Sequence, residues 1–432
     1  MFFAYFFLSK QDKGWLFLIL TKAHLFDILH NCLGYIREVI FLNRVIIHNG
    51  KGSGVRESFI SALILVSRWC KAFVKRNTVL VIAASLAIIS SVIVPPDAKY
   101  IEYIDYKTLS VLFSTLAVVC ALKNIKFFTF TAKKIVKLAG NTKILALSLI
   151  YITFIGSMFI ANDMALLTFL PLGYISLSVS GKEKYMARVF ILQNIAANLG
   201  GMLTPFGNPQ NLYLYTKFSI PTGEFMGIML LPFVLSIILF TVFALFIPSE
   251  PVTIENESAA LPKGRCAFYL VLFALTLLSV FRILPHYICL AVIFISVLFS
   301  DKSALKKVDY PLLLTFVFFF IIAGNVSRIG AVNELLSGLL EKNTLVTSAL
   351  SCQVISNVPS AILLSEFTSN YKDLLVGVNI GGVGTLISSL ASLITFREYT
   401  SRVKGKTLSY IALFSLYNFA FLLILLTVML FA

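Results

Sequence analysis

Charge is scarce in this 432-residue chain: 13% of its residues are Asp, Glu, Lys or Arg, against about 25% in a soluble globular domain. Chemistry-bearing motifs are missing as well. There is no H-E-x-x-H, no Walker A loop and no Asp-rich pair of the kind that holds Mg²⁺, which excludes a zincin, an ATP-driven pump built from this chain alone and a membrane prenyl transferase. No enzymatic activity and no cofactor are expected. Cysteines 32, 70, 120, 266, 289 and 352 are scattered and match neither a metal site nor a disulfide frame, so they are expected to be buried thiols. What is abundant is apolar surface: 58% of residues are hydrophobic and the mean hydropathy is +0.91. That excludes an ordinary cytosolic enzyme, a nucleic-acid binder and a disordered chain. It leaves an all-α polytopic membrane protein embedded in a lipid bilayer, with length for about ten to twelve crossings.

The net charge of +16 would suggest nucleic acid in a soluble protein. Here it reads as topology, because cytoplasmic loops collect Lys and Arg. Residues 1–77 hold 11 of the 36 basic residues and read as a basic N-terminal segment, either an interfacial helix over 58–76 or an extension from an upstream start. No signal peptide is expected. Spans are expected at about 78–95, 106–122, 187–215 (with a break), 222–247, 266–283, 286–300, 309–325, 371–396 (with a break) and 407–431. The apolar stretches 143–178 and 343–367 are interrupted by polar residues and read as re-entrant hairpins. Loops 123–143, 181–188, 248–265, 300–308 and 397–406 carry 18 basic residues, and the alternate set carries seven. The first set is therefore expected in the cytoplasm and the C-terminus outside, which requires each hairpin to leave on the side it entered.

Three landmarks recur in order. Ile104-Asp105-Tyr106 matches Val308-Asp309-Tyr310, Ile160-Ala161-Asn162 matches Ile355-Ser356-Asn357, and the stretch beginning at Asn198 (NLGGMLT) matches that beginning at Asn379 (NIGGVGT). An odd number of crossings separates the two hairpins, so the halves are expected to be inverted: a first repeat over 78–247, a cytoplasmic linker over 248–264 and a second repeat over 265–432. Inverted repeats with broken helices in matching places point to a secondary transporter.

Residues 189–216 and 374–396 contain no charge but are rich in Gly, Asn, Thr and Ser. In hydrocarbon an unwound helix needs its freed backbone groups satisfied by protein or trapped water, so a break near 204–211 implies a protein-lined cavity. Half-helix N-termini suit an anion, and unwound carbonyls with amide oxygens suit Na⁺. A glycine-rich kink for close packing is the plainer alternative. The expected substrate-lining residues are Asn162, Thr204, Pro205, Asn208, Asn211, Ser356, Asn357, Thr385, Ser388 and Ser389. For the coupling ion, Na⁺ or H⁺, they are Asp163, Asn162, Asn357, Gly200 and Gly381, with no other metal. Asp163 is the only ionisable residue between Ile144 and Gly181; it either handles the coupling cation or proton or caps the second arm of the hairpin.

The segments SMFIANDMALLTFLPL, LGGMLTPFGNPQNLYLY, ISNVPSAILL and GVNIGGVGTLISSLASLI resemble the ion transporter superfamily: citrate transporters, divalent-anion:sodium symporters, arsenite permeases and some sodium/proton antiporters. The resemblance covers about residues 78–432. It implies an elevator-type carrier, often dimeric, with a transport part made of hairpins and broken helices. In its dicarboxylate symporters a Ser-Asn-Thr triplet at each hairpin tip binds substrate carboxylate and Na⁺. Here the tips read Ala161-Asn162-Asp163 and Ser356-Asn357-Val358. Three readings stay open at this point: a carrier of a small inorganic or organic anion, a cation/proton antiporter using Asp163, and a membrane scaffold that transports nothing.

Overall fold

A computed structural model describes residues 67, 68, 71, 73, 74, 77–252 and 261–432. The expected helix over 58–76 falls almost wholly outside them, as do Cys32 and Cys70. Among the described residues the structure is helical, with seven helical segments long and apolar enough to cross a membrane. Cys120, Cys289 and Cys352 are buried free thiols. The chain divides into two compact units, one holding the described residues up to Leu109 with Asp309–Asn325, the other Ser110–Val308 with Val326–Ala432.

The smaller unit contains α1 (Thr78–Ile93), a 3-10 turn (Ala98–Ile101) and most of α12 (Tyr310–Ser327). Ala87, Tyr100 and Ile321 form its core. Asn325 donates to the hydroxyls of Ser90 and Ser91 (3.1 and 3.4 Å), so the NH₂ of a buried amide is met by two serines that α1 presents one after the other.

The larger unit runs most of α2 (Tyr106–Asn124), then α3 (Phe127–Val136), α4 (Thr142–Ile160), α5 (Asn162–Val179), α6 (Met186–Gly200), α7 (Pro209–Lys217), α8 (Thr222–Leu245), α9 (Lys263–Val280), α10 (His286–Ser300) and α11 (Lys302–Lys306). After α12 come α13 (Gly330–Lys342), α14 (Thr344–Ile355), α15 (Asn357–Leu364), α16 (Tyr371–Ile380), α17 (Leu390–Arg402) and α18 (Thr407–Phe431). The landmark aspartates are helix caps in both copies. Asp105 accepts from the backbone N–H of Thr108 and Asp309 from that of Leu312 (2.9 and 3.0 Å), satisfying N–H groups that the first turn leaves without an intrahelical partner.

By length alone α4 and α5 would be two crossings. They pack antiparallel as the two arms of a helical hairpin. Positions equidistant from Ala161 meet: a Cβ on Gly173 would lie 3.6 Å from the Leu149 side chain. Gln193 on α6 donates to Thr153 on one arm and to the Phe169 carbonyl on the other (2.9 and 3.4 Å). Both feet rest on one group, Glu250. Thr142 exchanges hydrogen bonds with its backbone (2.9 Å each way), and Lys182 and Lys184 bind its carboxylate (2.7 and 2.6 Å), as does the Tyr185 hydroxyl. Those hydrogen bonds, Lys182 first, then Lys184 and Tyr185, pull the Glu250 pKa down to about 2.

The second hairpin, α14–α15, is shorter, at 12 and 8 residues. Its arms are joined by Ser351 and Ser360 (2.9 Å). Its exit lies at the other end of α8: Lys217 pairs with Glu366 (2.5 Å), and Glu224 takes hydrogen bonds from Tyr371 (2.9 Å) and Lys372 (3.1 Å). Because α8 has 24 residues, about 36 Å at 1.5 Å per residue, the two hairpins enter from opposite ends of the unit. Loops 181–188 and 248–252 thus meet at one end, and loops 216–224 and 366–373 at the other. Arg282 joins the second end, donating to the carbonyls of Tyr215 and Ser219 (2.6 and 3.2 Å).

Two differences from the sequence reading have simple causes. The first break is tighter than 204–211, because Pro209 sits at N1 of α7 and starts the new helix there; Asn211 is therefore helical. Helices α3, α11 and α13 lie in stretches expected to be loops. They are 10, 5 and 13 residues long and lysine-bearing, so a search for 20-residue apolar runs passes over them.

Candidate functional site

The two hairpin tips have the same construction. A single residue with positive φ reverses the chain, Ala161 (φ 61°) or Ser356 (φ 74°), a left-handed conformation that disfavours bulky side chains. The next residue, Asn162 or Asn357, opens the second arm, and its side-chain oxygen accepts the N–H of the residue after it (2.9 Å in both). Each amide thereby caps its own helix and keeps its NH₂ for a partner across the site.

The two broken helices repeat as well. In the first, α6 ends at Gly200 and α7 begins at Pro209; in the second, α16 ends at Ile380 and α17 begins at Leu390. In each break a threonine hydroxyl donates to a carbonyl in the first arm of the neighbouring hairpin: Thr204 to Met158 (3.1 Å) and Thr385 to Gln353 (3.0 Å). The offsets of the sequence landmarks, 181 and 195 residues, make these the same bond. Gly200 and Gly381 are equivalent too. A Cβ on the first would run into Phe154 and on the second into Ala349, again 195 residues apart. These two glycines let a broken helix touch its hairpin, and the Gly381 carbonyl accepts from Gln353 (2.8 Å).

All four elements meet at Asn198 and Gly382. Asn162 donates to the Asn198 side-chain oxygen (3.1 Å). A Cβ on Gly382 would lie 3.0 Å from Asn357 Nδ2 and 3.7 Å from Asn198 Oδ1, so both tips and both breaks share one small volume. Asn208 donates to the Asn198 carbonyl and the Asn379 side chain (3.3 and 3.4 Å), and Asn379 donates to Asn211 Oδ1 (2.6 Å). Asn211 in turn holds the unwound carbonyls of Gly201, Met202 and Thr204 (3.0–3.3 Å). Ser388 offers its carbonyl to the Asn357 N–H (2.9 Å) and to Ser356 Oγ (3.3 Å). These six asparagines are no more than 4% exposed.

Asn162, Asn208, Asn211, Ser356, Asn357 and Ser388 are therefore brought together. Thr204 and Thr385 act as struts to the hairpins. Ser389 caps α17 by accepting from the Ser392 N–H (3.2 Å), and Pro205 is buried in the break. Asp163 stands in the first turn of α5, half-buried, one residue past the central amide. Sequence reasoning leaves out Asn198 and Asn379 as site residues, although both open the repeated glycine motif. It also misses Gln353, whose side chain ties the second hairpin to the second break by accepting the Thr385 N–H (2.9 Å).

Four helices, α5, α15, α7 and α17, start at this centre, and four, α4, α14, α6 and α16, end at it. Helix N-termini carry about +0.5 of a charge and C-termini about −0.5, so the centre offers N–H groups to an anion and carbonyls to a cation without any formal charge in either break. Beside it lies a cavity of about 20 Å³ lined by Thr115, Ala161, Phe206, Asn208 and Leu212 among others, room for about one water molecule. The buried Asn208 Oδ1 accepts no hydrogen bond. No group of His, Cys, Asp and Glu suited to a transition metal occurs among the described residues.

Several known proteins are similar to this chain. An uncharacterised transporter of Methanocaldococcus jannaschii is 33% identical over 324 residues, 74% of this chain and 88% of the relative. The inner membrane protein YbiR of Escherichia coli is 26% identical over 306 residues, 69% of this chain and 81% of its own length. An uncharacterised transporter of Mycobacterium tuberculosis is 23% identical across 83% of this chain and 96% of its own. The family described as citrate transporter matches residues 62–371, most of the chain including both hairpin tips and the first break, and the protein belongs to that citrate transporter family.

Proposed function

We propose that this transporter moves a small anion, a carboxylate such as citrate or a dicarboxylate, across the cytoplasmic membrane, coupled to Na⁺ or H⁺ by an elevator-type movement. The observation that carries the reading is the meeting of four helix starts and four helix ends at an uncharged, amide-lined centre. A site of that kind accommodates an anion and a cation together better than either alone, because each neutralises the other in a medium where an isolated ion is costly. Asn162 and Asn357 direct N–H groups to the carboxylate; the free Asn208 oxygen and the carbonyls of the breaks serve the cation. The cavity fits one water or a bare cation, so loading a carboxylate requires the first tip and the first break to move apart. The reading includes cytoplasmic loops at 123–143, 181–188, 248–265, 300–308 and 397–406, an outside C-terminus and a homodimer.

The test is a flux panel in proteoliposomes: citrate, succinate, phosphate, sulfate, arsenite and Na⁺ under imposed Na⁺ and pH gradients. Gradient-driven uptake of a carboxylate is the expected result. Movement of none of them would return the chain to the scaffold reading. A second reading, a sodium/proton antiporter, is favoured by the position of Asp163 beside the tip amide. Asp163→Asn separates the two, since an antiporter loses all flux whereas an anion carrier retains exchange.

A further inference from the structure

Loop 123–143 differs from the other loops of its set. The segments 181–188, 248–265, 300–308 and 397–406 each contain an acid, but from Tyr106 to Asn162 there are seven lysines and no Asp or Glu. Elsewhere the acids are used: Glu250 holds Lys182 and Lys184, Glu398 holds Arg402, and Asp301 accepts from Asn124, which accepts from Lys307 (2.7 and 2.6 Å). Among the described residues none of Lys126, Lys133, Lys134, Lys137 and Lys143 has a carboxylate within ion-pair reach. Topology alone would place lysines here but would not leave this segment alone without counter-charge.

Helix α3 carries the middle of this segment. Its 10 residues span about 15 Å, half a bilayer core. Ala132 and Val136 are buried, and the helix packs on both α4 and α5. Its outer side is mixed: Lys126, Lys134 and Lys137 are exposed beside Ile135 (42% exposed) and Leu138 (82%), and Lys134 lies 4.6 Å from the Phe130 ring centre. Apolar side chains interleaved with unneutralised lysines on a short helix match the boundary between acyl chains and anionic headgroups. A soluble acidic partner would leave Ile135 and Leu138 uncovered.

We propose that α3 and its lysines bind anionic phospholipid headgroups of the surrounding bilayer. Because α3 rests on both arms of the first hairpin, the bound lipid supports the element that carries Asn162. The test uses the full chain, purified in detergent and stripped of lipid. Thermal unfolding is followed during titration with phosphatidylglycerol or phosphatidylcholine, with glycerol 1-phosphate and inorganic phosphate as soluble controls. Phosphatidylglycerol is expected to stabilise at lower concentration than phosphatidylcholine. That preference fades in 1 M NaCl, where the Debye length is about 3 Å. The triple variant Lys126→Gln, Lys134→Gln, Lys137→Gln is expected to keep its lipid-free melting temperature but to need about 100-fold more phosphatidylglycerol, from about fivefold per lysine at a membrane surface. Arginine at the same three positions restores the response. An equal response to both lipids, a triple glutamine variant that responds like the parent, or a full response to glycerol 1-phosphate overturns the proposal.

Discussion

Alanine at Gly381 and at Gly382 tests whether the second break divides into a packing part and a ligand-handling part. Neither glycine has positive φ, so space alone decides the outcome. A Cβ on Gly381 would lie 2.8 Å from Ala349 Cα and 2.9 Å from its carbonyl oxygen. Carbon atoms in contact prefer about 3.5–4.0 Å, so the backbone of α14 has to retreat by most of an ångström, against a close-packed neighbour. Overpacking of this sort costs about 1–3 kcal/mol, and with backbone as the obstacle we expect the upper end. A Cβ on Gly382 meets instead Asn357 Nδ2 at 3.0 Å and the Asn379 carbonyl at 3.2 Å. A side-chain amide gives way by a few tenths of an ångström, so the lower end of that range, about 1 kcal/mol, is expected. The assay is heat treatment followed by size-exclusion chromatography, with and without Na⁺ and each anion of the flux panel. G381A should lose stability equally in every condition. G382A should stay near the parent without ligand and lose most of the ligand-induced rise. A stable G381A, or a G382A that keeps the full rise, refutes the division.

Asn198→Leu removes the acceptor of Asn162 and strands a buried NH₂, which costs about 1–3 kcal/mol; transport should vanish while the protein still reaches the membrane, as measured by flux and surface labelling together. Glu250→Gln removes the shared anchor of the first hairpin. Since the folded-state pKa of Glu250, about 2, lies below the usual carboxylate value, its contribution is complete above about pH 4.5 and is lost as pH falls toward 2. Parent melting temperatures should therefore drop over that window, and those of E250Q should drop less. Arg282 occupies a left-handed position (φ 64°), with its guanidinium 4.2 Å from the Tyr215 ring centre and on the carbonyls at the end of α7. R282G is expected to fold, because glycine suits that conformation, but to free α7, exposing a cysteine placed at Thr216 to a labelling reagent faster than in the parent. Cysteine labelling from outside should reach position 432, and labelling only from inside would contradict the proposed orientation.

Asn162 and Asn357 stand out in the sequence because an amide in an uncharged apolar run is conspicuous, and a second copy in register removes chance. The breaks are legible for the same reason: Gly-Gly, Pro205 and Pro209 have no place in a continuous span. Asn198 and Asn379 are harder to see. Each is the last polar residue before a glycine pair and reads as part of the kink, whereas contacts between the two breaks and the first tip put them at the centre of the candidate site. Gln353 carries no signal at all, since one glutamine near a hairpin tip is ordinary and its partners lie about 30 residues downstream. The reversal at Ala161 and Ser356, one residue ahead of the asparagines, follows from backbone geometry that side-chain identity does not announce.

The hairpin feet are pinned near opposite ends of one uninterrupted helix, α8. Its 24 residues extend about 36 Å, enough to cross a hydrocarbon core of about 30 Å with the charged first turn outside it. Both feet travel with it. The depth at which the tips meet is thus gauged against a protein ruler and not against the lipid, and membranes of different thickness change the lean of the unit while leaving the two asparagine tips in register.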